Sequence, residues 1–241
     1  VAFRPDRLPQ RRQICHSAAM KIAICLPIHS GAKPQFVQCL ARMIAYSMTA
    51  KLQEKGQPIA PQIETFVFST SNVSFSRRRL VDIALDWGAQ WLLWLDADQI
   101  FPADTLIWLL ARQRAIVGAN CRRRDPSAVM PTAYTQKDGK PAPVFPHGDG
   151  IEEILHLGLA VCLTHAEVFR RIGRPYFFEQ MHEDGIHSFG EDVSFCHKAR
   201  AAGFPVFVDH ALSKKVGHIA DIDLYFPQEA SPAPDEPQAP S

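Results

Sequence analysis

The sequence predicts an α/β fold: one domain built on a mainly parallel sheet with helices on both faces. Three observations predict it. Short apolar runs recur at KIAICLPI (21–28), IETFVFS (63–69), WLLWL (91–95) and AIVGAN (115–120). Segments of helical spacing separate them, which gives a β-α-β-α-β-α-β order. Polar residues gather just past the carboxyl ends of these runs, where ligands of parallel α/β sheets bind.

Each element follows from local pattern. The first run is short and apolar throughout, as suits a strand buried on both faces. Residues 33–54 place Phe36, Val37, Leu40, Met43, Ile44 and Met48 at helical spacing, and Gly56 closes the run. After the second strand, a helix from Ser76 to Trp87 shares a face of Leu80, Ile83, Ala84 and Trp87, with Gly88 as its stop. The third strand, WLLWL, is broken by Asp96. Phe101-Pro102-Ala103-Asp104 opens a helix carrying Leu106, Leu109 and Leu110, with Pro102 as a helix-start residue. Past residue 121 the rhythm changes to shorter strands (128–135, 157–163), helices at 165–172 and 190–202, and a last strand at 205–209. Trp91, Trp94 and Trp108 read as core.

The two ends read differently from the middle. Residues 1–19 carry Arg4, Arg7, Arg11 and Arg12 but no apolar stretch of a secretory signal. They read as a leader or a mis-assigned start, with Met20 as the true one. Residues 227–241 hold five prolines and no aromatic or β-branched residue, so they read as a solvated tail. The folded domain is expected over 20–226.

Composition excludes several classes. Lys+Arg is 26 against Asp+Glu 25, a net charge of +1, which argues against stable nucleic-acid binding or an anionic membrane surface. No window approaches a membrane span, so no transmembrane segment is expected. The six cysteines are scattered without close pairs, as suits free thiols in a reducing, cytoplasmic setting.

The chemistry is expected at three strand ends: Ile28-His29-Ser30, Ser69-Thr70-Ser71-Asn72, and above all Asp96-Ala97-Asp98. Two carboxylates beside a fully apolar strand are costly to bury unpaired, and a hard divalent cation, Mg2+ or Mn2+, is the usual remedy. The alternation of a strand would turn both side chains to one side. A second acidic pair, Glu191-Asp192, opens a helix, where the dipole alone would favour an acid. Val216-Gly217-His218 follows the final strand.

Taken together, the segments KIAICLPIHSG, SRRRLVDIALDWGAQWLLWLDADQIFPADTLIWLL, AIVGANCRRR, GLAVCLTHAEVFRRI, FGEDVSFCHKARAAGFPVFVD and VGHI resemble glycosyltransferases of the Rossmann-like GT-A fold, of the family-2-like type common in bacteria and bacteriophages. The resemblance covers nearly all of 20–219. It implies an enzyme that moves a sugar from a nucleotide-diphosphate sugar to an acceptor hydroxyl with Mn2+ or Mg2+. The acceptor would be a glycan, a lipid-linked glycan, a protein or a modified nucleic acid. It implies metal ligands at Asp96, Asp98 and His218, and donor contacts at Pro27, Ile28, His29, Arg77 and Asp96. It places Glu191 and Asp192 near the acceptor, with Asp192 as base and inversion as outcome. The family's Arg-Asn pair reads Arg77-Arg78 here, so a guanidinium stands where the family has Asn.

Other readings weigh less. A nucleotidyltransferase would need a Gly-rich phosphate loop early in the chain, and HSGAKPQF has a single Gly. A non-catalytic sugar-nucleotide binder would not need the intact acidic motifs. His182-Glu183-Asp184-Gly185-Ile186-His187 spaces its histidines five apart with Gly185 between, which does not suit a zinc-protease helix. His147-Gly148-Asp149-Gly150 reads as a loop on the acceptor side, and Arg122-Arg123-Arg124 as a solvated turn from which one Arg reaches phosphate.

Overall fold

The structure is a computed structural model that describes residues 19–54, 57–124, 128–181 and 188–220. Nearly all of the expected leader, the tail at 227–241 and the motif from His182 to His187 lie outside those residues.

The front half runs β1 (Met20–Ile28), α1 (Pro34–Thr49), β2 (Leu52–Glu54), β3 (Gln57–Ile59), β4 (Pro61–Ser69), α2 (Val73–Trp87), β5 (Trp91–Leu95), β6 (Gln99–Ile100), α3 (Thr105–Ala111) and β7 (Ile116–Ala119). The back half adds β8 (Ala133–Lys137), β9 (Lys140–Pro143), β10 (Ile151–Ile154), β11 (His156–Leu157), β12 (Val161–His165), α4 (Ala166–Ile172) and β13 (Gln180–Met181). It ends with β14 (Ser188–Phe189), α5 (Glu191–Ala201), β15 (Val206–Asp209), α6 (His210–Ser213) and β16 (Gly217–His218).

Seven strands form the central sheet in the order β10-β15-β7-β12-β5-β1-β4. Parallel pairing is found where β1 meets both β4 and β5 in the front half, and where the last long strand, β15, joins β7. The back half makes the sheet mixed, because β12 inserts antiparallel between β5 and β7, and β10 runs antiparallel on the edge beside β15. This is the GT-A, Rossmann-like α/β architecture. Helices cover both faces. Leu80 and Ala84 of α2, Phe169 of α4 and Phe195 of α5 pack on one face with Trp94. Phe36 and Met43 of α1, Leu106 and Leu109 of α3 and Leu212 pack on the other with Leu93 and Leu95.

Several boundaries differ from the sequence reading. The strand expected at 157–163 is split into His156–Leu157 and Val161–His165, because the chain turns through 158–160 between two different sheets, and the helix expected to open at Pro102 begins at Thr105. The first helix stops at Thr49, not at 54, and Val37 and Met48 on it are about half exposed (50% and 55%). Leu52–Glu54 instead pairs with Gln57–Ile59. Helix α2 begins earlier than Ser76, because the Asn72 side chain accepts the Phe75 N–H at 2.7 Å and caps the turn. The strand expected at 128–135 is Ala133–Lys137, one arm of a hairpin with β9. The five described cysteines are free, and burial pushes the Cys162 thiol up to about 12. No helix among the described residues is long and apolar enough to cross a membrane.

Candidate functional site

The chain leaves β5 at Leu95 and turns at once. The Asp96 N–H donates to the Ala160 carbonyl at 2.9 Å, and the Asp96 carbonyl accepts the Gln99 N–H at 3.2 Å. Asp96 and Asp98 therefore sit on a turn, not on a continuing strand, and strand alternation does not govern them. They take different partners. Asp96 Oδ1 lies 3.0 Å from Nη2 of Arg77. Arg77 comes from the first turns of α2, is buried (3% exposed), and also reaches Oε1 of Glu191 with its Nε at 3.2 Å. One guanidinium thus ties the two acidic motifs together. Enclosure lifts the Asp96 carboxyl above its ordinary value, and Arg77 pulls against that lift.

Asp98 faces His218. A short antiparallel pairing of β6 with β16 brings them together, matching His218 with Gln99, and the Ile219 N–H donates to the Asp98 carbonyl at 2.8 Å. His218 Nδ1 lies 2.8 Å from the Arg122 carbonyl, which can only accept, so Nδ1 carries a proton. Its Nε2 stands 3.2 Å from Asp98 Oδ2, yet it is buried with no hydrogen-bond partner among the described residues. The ring is held through one nitrogen by a backbone carbonyl and turns the other to the Asp98 carboxylate, an orientation in which both side chains could ligate one divalent metal. Burial pushes the Asp98 carboxyl up, but His218, Gln99 and Arg124 together hold it below its ordinary value. Asp98 in turn raises the His218 imidazole. Arg124, the Arg of the basic turn that reaches inward, stands 3.4 Å from Asp98 Oδ2.

Two cavities adjoin at these carboxylates. One, of about 370 Å³, is lined by Pro27, His29, Lys33, Asp96 and Asp98 among others. The other, of about 340 Å³, is lined by Arg77, Asp96, Asp98, Glu191, Asp192 and His218 among others. Of the residues expected to contact the donor, Pro27, His29, Arg77 and Asp96 line these cavities and Ile28 does not. The alternation of β1 turns it away from Pro27 and His29, and it packs with the α1 and α3 core. Glu191 does not cap its helix, because its side chain is taken by Arg77. Asp192 folds Oδ1 back onto the Val193 N–H at 2.7 Å, and burial raises its carboxyl. A further cavity, about 770 Å³, lies at the opposite, amino ends of the parallel strands, beside Met20, Trp91 and Ala115. It holds none of the predicted residues.

One group escaped the sequence reading. His147, Glu152 and His210 bring three ligand atoms within 4.8 Å of one another, an arrangement that could hold a divalent metal. His147 belongs to the loop read as acceptor-side turn chemistry. Spread over three segments, the three residues carry no spacing signal.

Neither the protein-family models nor the curated proteins compared with this sequence give a match. Among solved structures, the chain is similar to the crystal structure of A197 from STIV, with a TM-score of 0.52 and 13% identity, over 87% of this chain and 99% of that chain. At such identity the likeness speaks for the fold alone, and it agrees with the mixed α/β sheet described above.

Proposed function

We propose that this chain is a metal-dependent glycosyltransferase that moves a sugar from a nucleotide-diphosphate sugar to an acceptor hydroxyl. One observation carries the reading. Asp98 and Nε2 of His218, 3.2 Å apart, meet at the carboxyl end of β5, where a cavity with Pro27 and His29 adjoins one with Glu191 and Asp192.

Asp98 and His218 would hold Mn2+ or Mg2+, joined by Asp96 through the oxygen that Arg77 leaves unbonded. A bound divalent ion there supplies charge neutralisation for the departing nucleoside diphosphate. Pro27 and His29 line the side where the nucleoside would lie. Arg124 and Arg77 add fixed positive charge near the diphosphate. Across the carboxylates, Asp192 accepts the acceptor proton as general base, and the elevation of its carboxyl by burial brings its basicity closer to that task. Arg77 is a positioning residue: it fixes Asp96 and Glu191 relative to each other.

Calorimetry with nucleoside diphosphates and Mn2+ tests the assignment. Saturable binding that needs the metal and is lost in Asp98→Asn is expected, because removing a ligand removes both charge and geometry. Binding indifferent to chelator and to Asp98→Asn would contradict it.

A further inference from the structure

The group formed by His147, Glu152 and His210 stands apart from the carboxylate turn. His210 opens α6 directly after β15, Glu152 lies on β10, and His147 sits in the loop before β10. In the sheet order, β7 and β12 separate β15 from β5. Three strand spacings of about 4.8 Å make roughly 14 Å between the two sites.

The geometry converges on a point. Nε2 of His147 lies 3.1 Å from Oε2 of Glu152, and Nε2 of His210 lies 3.0 Å from the same oxygen. Ligand atoms around one tetrahedral zinc ion, each about 2.0–2.1 Å from it, stand roughly 3.3 Å apart. A small opening of the three side chains fits the ion. The imidazoles face each other with centroids 3.9 Å apart and planes tilted by 34°. The His147 backbone N–H donates to His210 Nδ1 at 3.5 Å, so a metal on His210 Nε2, which puts the ring's proton on Nδ1, requires this long contact to open.

Burial is graded in the way a metal needs. The His210 side chain is 3% exposed, Glu152 34% and His147 69%, so the inner ligand is fixed while the outer side is open for an ion to enter and for water to complete the shell. Nearby, Lys214 bonds Asp149 at 3.1 Å and the Gly148 carbonyl, so its ammonium is paired within the same loop. The donor set decides the ion. Two imidazoles with one carboxylate favour zinc over magnesium or calcium, which prefer all-oxygen shells.

We propose that His147, Glu152 and His210 form a second metal site, of zinc type, that staples the loop before β10 to the start of α6. It does not depend on the transferase reading, since it shares no residue with the carboxylate turn.

The test uses the full chain, stripped with chelator and titrated with Zn2+ and with Co2+ as spectroscopic substitute. One equivalent of Co2+ giving the intense visible absorption of a low-coordinate nitrogen–oxygen site is expected, displaced by one equivalent of Zn2+. Zn2+ should raise the melting temperature. Asp98→Asn should retain the cobalt spectrum. His147→Ala, at an exposed position that should not disturb folding, and Glu152→Gln should both lose it. No saturable Co2+ or Zn2+ binding in the wild type would overturn the proposal and leave a hydrogen-bonded triad. A spectrum that survives His147→Ala, or that vanishes only with Asp98→Asn, would overturn it equally.

Discussion

Asp96 and Asp98 lie two residues apart and answer to different partners, one to Arg77 and the other to His218. Chemistry at this site therefore divides by residue, and so do its tests. Asp192→Asn keeps the shape of the side chain, including the contact of Oδ1 with the Val193 N–H, and removes the basicity. Turnover should fall roughly 10²–10⁴-fold with donor affinity nearly unchanged. Steady-state kinetics would show it, and donor affinity falling in step with turnover would make Asp192 a ligand or a cap. His156 offers a test away from the site. Its ring stacks on Tyr134 with centroids 5.0 Å apart, its Nδ1 is buried without a partner among the described residues, and burial, with His197 adding to it, lowers its pKa from 6.5 to about 4. The unfolded chain takes up a proton below about pH 6.5 that the folded chain refuses until about pH 4. The neutral ring's contribution to stability is thus complete above 6.5 and is lost as the pH falls toward 4. His156→Phe keeps the stacking and removes the titration. Its melting temperature should gain on the wild type as the pH drops through that window, and a difference constant with pH would refute this. Among the candidate site residues, Asp96, Asp98, Glu191 and Asp192 were legible because acids beside apolar strands and at helix starts stand out. The role of Arg77 was not, because a buried guanidinium joining α2 to two distant carboxylates has no local signature.

Pairing and packing decide the elements where propensity does not. Residues 51–54, KLQE, are helix formers, yet Ala50 is extended (φ −70°, ψ 135°) and Leu52–Glu54 joins a hairpin. Tertiary pairing overrides the local preference there. The β8–β9 hairpin is the opposite case. Its turn, Asp138-Gly139, has φ of 52° and 76°, the two positive angles of a tight two-residue loop. Asp-Gly between two extended runs is a readable signal for that turn, and it marks the hairpin more sharply than the apolar pattern over 128–135 does. In β7, Gly118 is required by contact. A Cβ there would stand 2.6 Å from the Val161 carbonyl oxygen and 2.9 Å from Cys162 Cα, both backbone atoms of the neighbouring β12. Gly118→Ala should destabilise the protein by about 1–3 kcal/mol, the usual cost of overpacking. Urea denaturation measures it, and an unchanged midpoint would show that the β7–β12 pair can spread without cost.

Across the whole molecule, the site is assembled by long-range pairing. Gly217-His218 meets Ile100 and Gln99 across more than a hundred residues. The front α/β half was legible in its apolar runs and helical spacing. The antiparallel insertion of β12 was not, because a buried strand reads the same in either direction. His218 entered through its likeness to a known pattern, and the meeting of His147, Glu152 and His210 needs the folded sheet edge to become visible. That organisation sets the proposed donor and acceptor cavities on either side of one carboxylate turn, across which the proposed sugar transfer runs. NMR of the products after incubation with a panel of nucleotide-diphosphate sugars and Mn2+ tests this most directly. Release of a nucleoside diphosphate together with a transferred or freed sugar of inverted anomeric configuration is expected, lost on chelation and in Asp98→Asn. Donors left intact across the panel, or cleavage within the diphosphate in place of the sugar–phosphate bond, would contradict it.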